Sequence, residues 1–156
     1  MSQKLEEKSL RSEIQGAANN QSSAPGFSVS SLDPRIVKAL QAAAEKKALD
    51  ATVLDLRGIA AFTYFFVITT GANRRQVQAI SDEIVEQLKK SGTRAARVEG
   101  YQTAEWILVD YGDFIVHVFD DKSRRFYDLE RLWREAARLD VPASQLAAVG
   151  SLKEEK

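Results

Sequence analysis

The sequence predicts an α/β fold, a two-layer mixed five-stranded sheet with helices mainly on one face, in the order αββαβββα. Three observations carry this. Segments with apolar residues at helical spacing alternate with short runs of β-branched and aromatic residues, no repeat period relates them, and Tyr111-Gly112 joins two of the runs into a hairpin.

Residues 1–31 are rich in Ser, Asn, Gln and Gly, and Leu5, Leu10 and Ile14 are too sparse to bury much surface, so a flexible N-terminal tail is expected. Asp33-Pro34 supplies a cap and a first-turn proline, and Ile36, Val37, Leu40, Ala43 and Ala44 continue a helix to about residue 48. Residues 52–56 and 64–70 read as strands separated by a turn at Gly58. Asn73 caps a helix whose stripe is Val77, Ile80, Ile84, Val85 and Leu88, and Gly92 ends it. Residues 95–99, 106–110 and 114–119 are the next strands. A last helix, capped by Ser123 or Asp128, is read from Phe126, Leu129, Trp133 and Ala136 and stops at Val141-Pro142. The expected organisation is one domain over residues 32–140 between the N-terminal tail and a flexible C-terminal tail, residues 141–156.

The composition excludes several chemistries. No apolar stretch approaches the roughly 20 residues of a membrane-spanning helix, and the cytoplasm is the expected location. With no Cys there is no thiolate nucleophile or cysteine zinc site. His117, the only histidine, lies mid-strand among apolar neighbours and reads as a packed or interface residue, and no Gly-x-Ser-x-Gly occurs. Asp110 and Asp113 flank one hairpin tip while Asp120 lies about 20 Å away at about 3.3 Å per strand residue, so they do not share a metal ion. Thr69-Thr70-Gly71 reads as a strand-to-helix turn rather than a phosphate loop. Neither cofactor nor metal is expected. Arg74, Arg75, Arg94, Arg97, Arg124 and Arg125 could give an auxiliary RNA contact, although exposed arginines are commonly just solvated.

Lys+Arg and Asp+Glu total 22 each, yet residues 98–121 hold Glu99, Glu105, Asp110, Asp113, Asp120 and Asp121 with no Lys or Arg. That local asymmetry suggests a negative surface for a basic partner. A two-residue Tyr111-Gly112 loop would set Asp110 opposite Asp113, Leu108 opposite Ile115 and Trp106 opposite His117. Ile107, Val109, Phe114, Val116 and Val118 then lie under the helices, and Trp106, Leu108, Ile115, His117 and Phe119 form an open, acid-rimmed aromatic face suited to protein docking.

Val53-Leu54-Asp55-Leu56-Arg57-Gly58, Tyr64-Phe65-Phe66-Val67-Ile68, Val98-Glu99-Gly100-Tyr101, the run from Trp106 to Asp113, Val116-His117-Val118-Phe119 and the run from Tyr127 to Trp133 resemble the ribosomal silencing factor (Iojap-like) family. The resemblance covers about residues 34–133. It implies a fold similar to the nucleotidyltransferase core, and a non-enzymatic factor that binds the large ribosomal subunit through its protein number fourteen, blocks association with the small subunit and represses translation. A homodimer when free is a further implication. Gly71-Ala72 replaces the Gly-Ser of nucleotidyltransferases and no Asp-x-Asp follows on a strand, so the alternative, a nucleotide-handling enzyme of that ancestry, is the weaker reading. The partner-binding residues expected from the resemblance and the acidic block together are Glu99, Gly100, Trp106, Leu108, Asp110, Tyr111, Gly112, Asp113, Ile115, His117 and Phe119.

Overall fold

A computed structural model of the chain describes residues 27–151. After a 3-10 turn at Val29–Ser31 come α1 (Pro34–Glu45), β1 (Asp50–Asp55), β2 (Phe65–Gly71), α2 (Arg74–Lys90), β3 (Arg97–Glu99), β4 (Trp106–Asp110), β5 (Phe114–Asp120), α3 (Asp121–Tyr127), α4 (Leu129–Leu132), β6 (Ala137–Pro142) and α5 (Ala143–Ser151). The caps follow the sequence: Asp33 accepts from the Arg35 amide at 2.8 Å and Asn73 from the Gln76 amide at 2.9 Å. Gly71 is required where β2 meets α2, because a Cβ there would lie 2.9 Å from the Val77 amide nitrogen.

The sheet order is β3-β4-β5-β2-β1-β6, with β2 and β5 parallel and all other neighbours antiparallel. The fold is thus α/β with a mixed sheet, as the sequence predicts, but with six strands. The addition is β6. Residues 137–142 join the sheet beside β1 instead of extending the last helix, with Asp50 opposite Pro142 and Asp55 opposite Ala137. The expected C-terminal tail is likewise corrected over the described residues: Val141 is fully buried in β6, and Leu146 and Val149 of α5 are buried in the core formed with α1. Residues 1–26 and 152–156, where most of the expected N-terminal tail falls, lie outside the described residues.

Strand alternation divides the core in two. Ile107, Val109, Phe114, Val116 and Val118 pack under α1, α2 and α5, the face that the sequence assigns to them, and Val53 and Val67 of the neighbouring strands join them. Leu54, Phe66, Ile68, Ile115 and Phe119 point the other way and are covered by Leu129, Trp133 and Ala136. The single last helix expected from the sequence is two short ones: Asp128, at φ 49°, breaks the helical path, serving as C-cap of α3 and N-cap of α4. That kink lets the Trp133 segment fold across the second face. The face predicted to be open is largely closed.

Candidate docking surface

The β4–β5 hairpin turns one step later than the sequence reading has it. The Tyr111 amide donates to the Phe114 carbonyl at 3.0 Å, so the chain reverses through Gly112-Asp113, with Gly112 at φ +86°. Asp110 is opposite Ile115, Leu108 opposite His117 and Trp106 opposite Phe119. Every cross-strand partner moves by two positions, which corrects the pairs but preserves the faces because side chains alternate with period two.

The structure divides the expected partner-binding residues. Ile115, His117 and Phe119 are buried, as is Tyr111, whose ring stacks on Phe114 with centroids 4.9 Å apart. Trp106 and Leu108 remain partly exposed, Gly100 and Gly112 are exposed, and Glu99, Asp110 and Asp113 line the outer strands and hairpin tip.

Trp106 is the centre of what stays open. Its indole Nε1–H donates to His117 Nδ1 at 3.0 Å, and its ring lies 5.1 Å from Phe119 and 4.5 Å from Tyr127. Because Nδ1 accepts, the neutral imidazole carries its proton on Nε2, an atom that is buried and unpartnered among the described residues. Burial pushes the imidazole down to about 3, so it stays neutral near pH 7 and keeps Nδ1 free to accept. Phe66 packs edge-on against the same imidazole at 4.4 Å and fixes its plane. The tryptophan is therefore held from beneath in one orientation.

Two residues of this surface lie outside the sequence expectation. Tyr127 is 43% exposed and Phe126 is 78% exposed, with their rings perpendicular at 5.0 Å. The sequence reading puts Phe126 on a buried helical stripe. No periodic signal sets it apart: Phe126 keeps helical spacing with Leu129 and Trp133, and only the break at Asp128 separates it from that stripe.

The acidic block is less negative in space than along the chain. Arg97 reaches Glu99 at 3.2 Å and Asp110 at 3.5 Å, and Arg35 bridges Asp113 at 2.9 Å and Asp33 at 2.7 Å. Asp110 also accepts from the Gly112 amide at 2.8 Å and Asp120 from the Ser123 amide at 2.8 Å as the cap of α3. These carboxylates hold a turn and a helix end. Among the described residues no group of three or more His, Cys, Asp or Glu is arranged to hold a metal ion. At the start of α2 the Ala72 and Gln76 amides are taken by the Gln76 and Asn73 side chains, leaving fewer donors for a phosphate there.

Residues 30–156 match the family described as ribosomal silencing factor during starvation. A ribosomal silencing factor from Halalkalibacterium halodurans is 39% identical over 103 residues, covering 66% of this chain and 88% of the relative. One from Bacillus subtilis is 41% identical over 97 residues, covering 62% and 82% respectively. A crystal structure of a Chromobacterium violaceum protein superposes with a TM-score of 0.62 at 31% identity, covering 66% of this chain and 88% of that one. The match of sequence and fold together places this chain in the ribosomal silencing factor family.

Proposed function

We propose that the chain represses translation in the cytoplasm without catalysis, docking on the large ribosomal subunit through its protein number fourteen and sterically excluding the small subunit. The observation that carries this reading is the aromatic surface of Trp106, Tyr127 and Phe126, open to solvent yet held rigidly by His117 and Phe119. A rigid aromatic anchor loses little conformational freedom on binding, the property that enriches Trp and Tyr at interface centres. Glu105, exposed beside Trp106 in the chain, offers a carboxylate to the basic surface of a ribosomal protein.

Co-sedimentation with purified large subunits tests the reading, together with a subunit-joining assay. Trp106→Ala and Tyr127→Ala should each weaken large-subunit binding by about 2 kcal/mol, as truncation of an interface anchor does, and both should restore subunit joining. Melting temperatures must be measured alongside. Variants that remain folded and still bind and inhibit like wild type would place the docking surface elsewhere.

A further inference from the structure

On the side of the sheet carrying α3 and α4, a cleft of about 470 Å³ opens where α3 meets the ends of β1 and β2. Nine of its eleven lining residues are charged, so an apolar small molecule would find almost nothing to bury against. The floor is Arg124. Its Nη1 donates to Asp50 at 2.6 Å and to Thr70 at 2.5 Å, while Nη2 donates to Glu130 at 2.6 Å and Thr52 at 3.1 Å. Both carboxylates nearest that guanidinium are thus already engaged, and Arg124 itself is only 12% exposed at its side chain. It serves the architecture and has no free charge to offer.

The other four arginines of the cleft are different. Arg125, Arg131, Arg134 and Arg138 are exposed. Arg125 pairs with Asp121 at 3.1 Å and Arg138 with Asp140 at 2.9 Å, in solvated pairs that a stronger anion can displace. Among the described residues Arg131 and Arg134 form no ion pair, and Arg134 Nη1 donates to the Arg131 carbonyl at 3.5 Å. Four exposed guanidiniums therefore meet two lining carboxylates outside the Arg124 network, Asp121 and Asp128. Planar guanidinium forks match phosphate oxygens in pairs of parallel hydrogen bonds.

We infer that this arginine-lined cleft is a second binding site, one that takes the phosphodiester backbone of RNA. The inference rests on the reading that the protein works on the ribosome, whose RNA presents such phosphates. Of the six arginines that the sequence suggested for an RNA contact, Arg124 is committed to Asp50 and Glu130 and Arg97 pairs with Glu99 and Asp110; Arg125 alone of the six lies exposed at the cleft. Arg131, Arg134 and Arg138 are the new members.

The test is titration of the full chain with a short, labelled, single-stranded RNA, followed by fluorescence anisotropy across a series of salt concentrations. Each phosphate contact on a single strand contributes about −0.7 to the slope of log affinity against log salt. Arg131→Ala/Arg134→Ala should weaken binding at least about tenfold and flatten the slope by about 1.4 if each arginine meets one phosphate, with an unchanged melting curve. Arg131→Lys/Arg134→Lys should recover most of the slope. An RNA affinity and slope unaltered in the folded alanine variant would overturn the assignment, as would wild type that binds no RNA at low salt. Competition by a nucleoside triphosphate at equal phosphate concentration would also overturn it, in favour of a nucleotide pocket. Wild type that binds RNA through these arginines but does not co-sediment with large subunits would sink the docking reading and leave the cleft standing.

Discussion

Gly100 shows how one backbone position shapes the surface above it. It sits at φ +82°, and a Cβ there would run into the Trp106 carbonyl oxygen. Gly58 has nearly the same dihedral, +80°, but an added Cβ there meets nothing within 4 Å. Gly58→Ala should cost about 1 kcal/mol in urea unfolding from backbone strain alone, and Gly100→Ala clearly more, because the start of β4 must also move. The difference isolates the close approach. Tyr111 gives the opposite sign. Its buried hydroxyl has no partner among the described residues, and burial pushes it up to about 12. Tyr111→Phe should therefore stabilise the domain by about 1 kcal/mol, and it should leave large-subunit binding unchanged. His117 sets a pH dependence. Its folded-state value, about 3, lies below the ordinary 6.5, so between those values the unfolded chain binds the extra proton. Its contribution is full above about pH 6.5 and is lost as pH falls toward 3. Unfolding of His117→Gln, followed through the same window, should show a shallower fall in stability than wild type.

At the scale of elements, α3 buries none of its residues and α4 only Leu129, so the hydrogen bonds of Arg124 to Asp50, Thr52, Thr70 and Glu130 do much to fasten them to the sheet. Burial disfavours the Arg124 charge, but the hydrogen bond and charge of Glu130, with Asp50, more than compensate and hold it protonated. Arg124→Met should strand Glu130, only 11% exposed at its side chain, and destabilise by about 3–5 kcal/mol in chemical denaturation. The paired change Arg124→Met/Glu130→Leu should recover much of that loss. β6 is legible in the sequence: Ala137, Leu139 and Val141 alternate with Arg138 and Asp140, the period of a half-buried strand, directly after residues at helical spacing. The helical reading failed at Asp128, where a left-handed residue breaks a spacing that otherwise looks continuous. Truncation after Pro142 should lower stability by about 3 kcal/mol or more, since Leu146 and Val149 leave the core against α1.

Across the whole molecule, the helix and strand periodicities placed α1, α2 and the first five strands well, because each depends on residues close in sequence. What they did not show was the cover over the second face. That depends on where the segment after β5 goes, and Trp133 reaches Phe66 and Phe62 across more than sixty positions of chain. Charge misled for the same reason: the acids of residues 98–121 meet Arg35 and Arg97, one of which lies far earlier in the chain. With three of those acids compensated, association with a basic partner should depend only weakly on Asp110 and Asp113, and Glu105→Lys should slow it more, as stopped-flow binding at low and high salt would show.

The two tryptophans divide between the two events that matter. Trp133 is 2% exposed inside the second core, whereas Trp106 lies on the open aromatic surface with its indole nitrogen bonded to His117. Emission from Trp133 should stay blue and report only global unfolding, while Trp106 answers to whatever covers it. The protein therefore carries its own pair of optical probes, and a spectrum of Trp133→Phe on adding large subunits would register docking as a blue shift without any label.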